Sequence, residues 1–138
     1  MTSGLSTKLN TTFEDAVERT TRALAQQGFG VLTRIDVRST LKQKLGANME
    51  DYLILGACNP TLAHRALEVD RQIGQLLPCN VVVRADPDSQ DDTVLVEAMD
   101  PQLMIKIADQ PALQAVADEA TAKLTAAISA LGQTANAQ

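Results

Sequence analysis

The ten residues Asp-Tyr-Leu-Ile-Leu-Gly-Ala-Cys-Asn-Pro, from Asp51 to Pro60, constrain the fold more than any other part of the chain. Tyr52, Leu53, Ile54 and Leu55 are consecutively apolar, as in a strand that is central in its sheet or covered on both faces. Asn59-Pro60 then begins a helix. Asparagine caps it, and proline at the first helical position gives up an amide hydrogen that would have no helical partner anyway. Leu62, Ala63, Ala66 and Leu67 form the buried stripe of that helix.

Similar transitions recur along the chain. Leu5 to Asn10 alternates as a short first strand does. Thr12 stands before the helical stripe Phe13, Ala16, Val17, Thr20, Ala23 and Leu24, which Gly28 stops. Val31 to Val37 reads as a strand with Val31, Thr33, Ile35 and Val37 on one face, and Ser39 caps a short helix that ends at Gly46. Asp70 caps another short helix, stopped by Pro78. Asn80 to Ala85 and Thr93 to Ala98 form a hairpin across the polar turn Asp86 to Asp92. Met99-Asp100-Pro101 breaks the last strand, a short stretch runs to Asp109, and Pro111 opens a long helix with Leu113, Val116, Ala117, Ala120, Leu124, Ala127, Ile128 and Leu131 on one side. Gln133 to Gln138 reads as a frayed tail. The expected fold is α+β, with a curved antiparallel sheet of about five strands, helices on one face and short inserted helices, in one domain spanning residues 1–138.

Two cysteines are all the chain has, and each is followed by asparagine beside a proline: Cys58-Asn59-Pro60 and Pro78-Cys79-Asn80. If their strands are antiparallel neighbours, the helices between them return both thiols to the same end of the sheet. Cys58, Asn59, Cys79 and Asn80 are therefore the ligand-binding or redox residues to expect. Cys58 lies nearest the free amides of a helix start, which attract negative charge. Two sulfurs suit a soft, copper(I)-like ion, with Met99 or Met104 as a further sulfur, whereas a closed zinc site takes four ligands. The plainer reading makes both cysteines small buried hydrophobes, and Asn59 only a cap. His64, the one histidine, falls beside the buried stripe of its helix and reads as solvated.

Several strings together resemble the bacterial and archaeal domain-of-unknown-function family number three-hundred-and-two. They are Gly28-Phe29-Gly30-Val31-Leu32-Thr33 with Ile35-Asp36, Leu41-Lys42 with Lys44-Leu45-Gly46, Ile54 to Pro60, and Leu76-Leu77-Pro78-Cys79-Asn80-Val81. The resemblance runs from Thr12 to Pro101. It implies a TATA-binding-protein-like α+β fold, commonly homodimeric, and carries no catalytic assignment.

Composition narrows the function. The formal charge of -5 argues against a phosphate-binding footprint, and three aromatic rings leave few stacking platforms, so nucleic acid is not an expected partner. No apolar run approaches the roughly 20 residues of a membrane span, and the polar start lacks an export signal, so the expected address is the cytoplasm, with no membrane partner. No nucleophile elbow or glycine-rich phosphate loop is present, and the acidic turn lacks the distal glutamate of a calcium loop. No cofactor is named by any motif. Two readings follow: a homodimeric small-ligand or soft-metal domain, with or without redox sensing by its thiols, and a non-catalytic interaction or assembly module whose cysteines are structural.

Overall fold

The computed structural model describes residues 5–89 and 92–136, with side chains from 133 onward outside that description. Its five strands are β1 (Ser6–Asn10), β2 (Gly30–Asp36), β3 (Tyr52–Cys58), β4 (Cys79–Ala85) and β5 (Thr93–Ala98). They form one antiparallel sheet in the order β1-β5-β4-β3-β2, which is open, with β1 and β2 at its edges. The helices are α1 (Phe13–Gln26), α2 (Val37–Leu45), α3 (Pro60–Val69), α4 (Leu103–Ala108) and α5 (Leu113–Asn136), and a 3₁₀ segment spans Arg71–Leu76. The α+β class and the five-stranded antiparallel sheet backed by helices agree with the sequence reading.

Local chemistry sets the helix ends. The Thr12 side chain accepts from the Asp15 amide at the start of α1, and Asp70 does the same for Gln72 in the 3₁₀ segment. At α2 the cap is Asp36, which accepts from the Ser39 amide at 2.9 Å, so the helix begins at Val37 and Ser39 lies inside its first turn. With Asp36 extended and Ser39 already helical, the Asp36 carboxylate is the oxygen placed to reach a first-turn amide. Gly46 ends α2 in the left-handed conformation, where glycine carries no side-chain penalty.

The register of β2 also differs from simple alternation. Val31 opposes Ala57 but Thr33 opposes Gly56, so Leu32 is the extra residue of a bulge. The insertion moves Val31 to the helix-covered face and Thr33 and Ile35 to the other, while Val37 has left the strand. At the opposite terminus the helical backbone of α5 continues to Asn136 in place of the expected tail, and Ala137 and Gln138 lie outside the described residues.

Two apolar clusters fill the space beneath the helices. In the first, Leu9, Leu55, Val81, Val83 and Val96 of the sheet meet Leu24 of α1 and Leu124, Ile128 and Leu131 of α5. In the second, Leu62 and Ala66 of α3 meet Ile73, Met104 of α4, and Leu113, Val116, Ala117 and Ala120 of α5. The apolar stripe of α5 therefore serves both clusters within its own chain. Its first half packs on α3 and α4 and its second half on the sheet. Among the described residues, no helix is long and apolar enough to cross a membrane.

Candidate functional site

β3 ends where β4 begins, so the antiparallel pairing places Cys58 and Cys79 at one end of the sheet. Cys79 lies opposite Ala57, and Cys58 is one residue further along, facing Gly30 of β2. Cys79 shares the helix-covered face with Val81 and Val83 and is buried; Cys58 is half-buried, and both are free thiols. A cis peptide joins Leu77 to Pro78 immediately before Cys79.

The two thiols line a single cleft at the seam between the two apolar clusters. Leu62, Ala66, Val116 and Ala120 form its far wall, and Met99 and Met104 complete a set of four sulfur-bearing side chains. Its volume is about 30 Å³, room for roughly one water-sized guest and far below the hundreds of cubic ångströms that a drug-sized ligand occupies. Arg65 of α3 donates to Glu119 of α5 at 2.8 Å, a surface tie between the two helices whose inner faces form that wall. The same bond holds the Glu119 carboxyl below its ordinary pKa.

Burial pushes the Cys79 thiol from 9.0 up to about 11, and the neighbouring Cys58 adds to the shift. The Cys79 thiol is therefore protonated at neutral pH, a poor setting for a nucleophile. Among the described residues, no histidine, lysine or carboxylate lines the cleft to act as a base. His64 is on the outer face of α3, with 76% of its side chain exposed and its ring 3.6 Å from Glu68.

The two asparagines part company. Asn59 lines the cleft and is occupied by structure: its Oδ1 accepts from the Leu62 amide at 3.2 Å, and its Nδ2 donates to the Gln27 carbonyl at 3.3 Å. That second bond ties the start of α3 to the end of α1. Gly28, at φ +85°, makes the turn beside it, where an added Cβ would sit 2.8 Å from Asn59 Nδ2. Asn80 is exposed and does not reach the cleft, because it opposes Gly56 on the other face of the sheet. Strand alternation sends neighbours to opposite faces, so Cys79 and Asn80 cannot both point inward.

Sequence reasoning missed most of the wall. Met104, named from the sequence only as a further sulfur, arrives on α4, an element signalled by nothing more than the apolar run Leu103-Met104-Ile105. Phe29 arrives through the turn after α1, its amide donating to Leu24 O at 2.9 Å. Among the described residues, no three His, Cys, Asp or Glu side chains gather as a metal-holding group. The donors of this cleft are thiols and thioethers instead.

An open antiparallel sheet with helices on one face and a narrow sulfur-bearing seam defines a small α+β domain without a recognisable catalytic constellation. The chain belongs to the family described as Domain of unknown function DUF302, which it matches over residues 5–131. It is also similar to a solved structure described as an uncharacterized conserved protein DUF302 from Bacillus stearothermophilus. The two are 29% identical, with a TM-score of 0.80, over 90% of this chain and 94% of the other. No curated protein matches the sequence.

Proposed function

We propose that this domain binds one soft, monovalent metal ion of the copper(I) class between Cys58 and Cys79, with Met99 or Met104 as a third donor. The observation that carries the reading is that four sulfur-bearing residues, Cys58, Cys79, Met99 and Met104, border one cleft of about 30 Å³. Thiol and thioether donors select soft ions over the hard cations that carboxylates hold. The apolar wall favours a low-charge, low-coordinate centre, and the small volume favours a bare ion over an organic ligand. Binding would displace the proton that burial keeps on Cys79, since a coordinating thiol is deprotonated by the metal itself.

The test is an anaerobic titration with copper(I) buffered by a competing chelator. One equivalent bound by the native chain, weakened at least about 100-fold by Cys58→Ser and by Cys79→Ser, is the expected result. Equal uptake by the native chain and the double serine variant would remove the proposal and leave the thiols as core filler.

A second reading, an assembly module, is favoured by a different region. α2 buries none of its residues, and the edge strand β2 is exposed at six of its seven positions, with Leu32 67% and Leu45 74% exposed. An unpaired strand edge flanked by apolar side chains is a surface on which a second copy can add its own strand. Sedimentation of the native chain against Leu32→Lys checks it, because a charge on the exposed edge opposes pairing with a second strand. A native chain that sediments as a monomer would end this reading.

A further inference from the structure

The bulge at Leu32 exchanges the faces of the second half of β2. Arg34 opposes Leu55 and Asp36 opposes Leu53, so both charged residues lie on the helix-covered side, while Ile35 is turned to the uncovered side and is 49% exposed. Uninterrupted alternation from Val31 would do the reverse, with Thr33 and Ile35 toward the helices and Arg34 and Asp36 on the open face. Burial alone favours that reverse arrangement, because it hides an isoleucine and leaves two charges in water. Bulges are over-represented beside functional sites, where they re-aim side chains, and a break between local pattern and global fold marks such places.

The two re-aimed residues enter a groove between the first turns of α1 and the edge strand. Phe13, Val17 and Leu53 give it apolar surface, and Glu14 and Asp51 add two carboxylates to that of Asp36. Two of these acids are already engaged: Arg38 donates to Asp51 at 2.7 Å, and the Ser39 amide donates to Asp36. Arg34 is not. Six of the seven arginines stand within ion-pair distance of a carboxylate, and Arg34 is the exception among the described residues. Glu14 likewise has neither an ion pair nor a hydrogen bond from its side chain among the described residues.

We propose that this groove binds a small zwitterion, a free α-amino acid with an apolar side chain, its carboxylate on Arg34, its ammonium on Glu14 and its side chain against Phe13 and Val17. The charges select that class. One guanidinium among three carboxylates makes the groove hostile to a plain anion, and a plain cation would leave Arg34 without a partner and be repelled by it. A zwitterion answers both free charges at once, and the planar guanidinium can hold its carboxylate through two parallel hydrogen bonds. The groove shares no lining residue with the sulfur-bearing cleft, so this site is independent of the metal reading.

The test is a titration of the isotope-labelled native chain, followed by its amide chemical shifts, with L-leucine, L-valine and L-phenylalanine as probes. At least one should give saturable shifts centred on Phe13, Glu14, Arg34 and Asp36. Isocaproate, which is leucine without its ammonium, and isoamylamine, which is leucine without its carboxylate, should each bind at least about tenfold more weakly than leucine, the loss of one charge-assisted contact. Arg34→Gln should erase the preference for leucine over isoamylamine, and Glu14→Gln the preference over isocaproate. Both positions are exposed, and the same spectra report whether each variant is folded. Copper(I) uptake should be the same in Arg34→Gln as in the native chain. No saturable shift with any of the three amino acids, or binding that Arg34→Gln leaves unchanged, would overturn the proposal and leave the sulfur-bearing cleft to stand or fall on its own titration.

Discussion

The native chain should lose stability between about pH 9 and pH 11, and replacing Cys79 with alanine should flatten that loss. In the unfolded chain this thiol ionises near its ordinary value of 9.0; in the folded chain burial, aided by Cys58, holds the proton until about 11. Below pH 9 both states carry the proton, and the contribution of Cys79 to stability is fully present. Through the window the unfolded state sheds its proton while the folded state keeps it, so the unfolded state gains. Above about pH 11 both are ionised and the loss is complete. Two pH units at about 1.4 kcal/mol each give a loss of about 2–3 kcal/mol, an appreciable part of the roughly 5–15 kcal/mol that holds a domain of this size together. The assay is urea unfolding under reductant at pH 7, 9, 10 and 11. Cys79→Ala should start lower by about 1–2 kcal/mol from the space left by sulfur, then decline less steeply, because the variant lacks the buried thiol whose ionisation differs between the two states. Parallel curves, or alkylation of native Cys79 with its half-rate near pH 9, would refute the argument from burial.

Gly56→Ala should destabilise by about 1–3 kcal/mol in thermal or urea melts, since an added Cβ would collide with Thr33 Oγ1 and lie 2.9 Å from Pro78 Cγ; the same melt within error of the native chain would mean that β2 yields freely there. Asn59→Asp should keep the cap on α3 but lose the donor to Gln27, and Asn59→Ala should lose both, so unfolding free energies should fall in the order native, aspartate, alanine, with about 1–2 kcal/mol across the series. Thr20 is fully buried in α1 and its hydroxyl has no hydrogen-bond partner among the described residues, so Thr20→Val should raise stability by about 1 kcal/mol in the same measurement.

The elements legible in the sequence are those whose cause is local. Thr12, Asn59 and Asp70 cap the segments they precede because a side-chain oxygen needs only an amide two or three residues away. The stripe on α5 was readable because helical periodicity records burial directly. Where two local signals competed, the reading slipped: Asp36 and Ser39 are both capping residues, and only backbone geometry decides which oxygen reaches an amide. The bulge at Leu32 was invisible for a related reason. A bulge is a property of pairing between two strands, and Val31 to Asp36 alone looks like regular alternation.

The cleft divides the same way. By itself the sequence determined that each thiol would lie at a strand end beside a proline, that Asn59 would cap a helix, and that few polar chemistries were on offer. Only the tertiary structure decided that Cys79 faces inward while Asn80 faces out, that Met99 and Met104 come from elsewhere in the chain to meet the cysteines, and that the meeting place is a seam between two apolar clusters. Capping and periodicity act over a few residues, so they are written where they operate. A cleft wall drawn from Phe29 to Ala120 exists only once β3 and β4 have paired and α5 has been laid across both clusters, because distance along the chain does not encode distance in space.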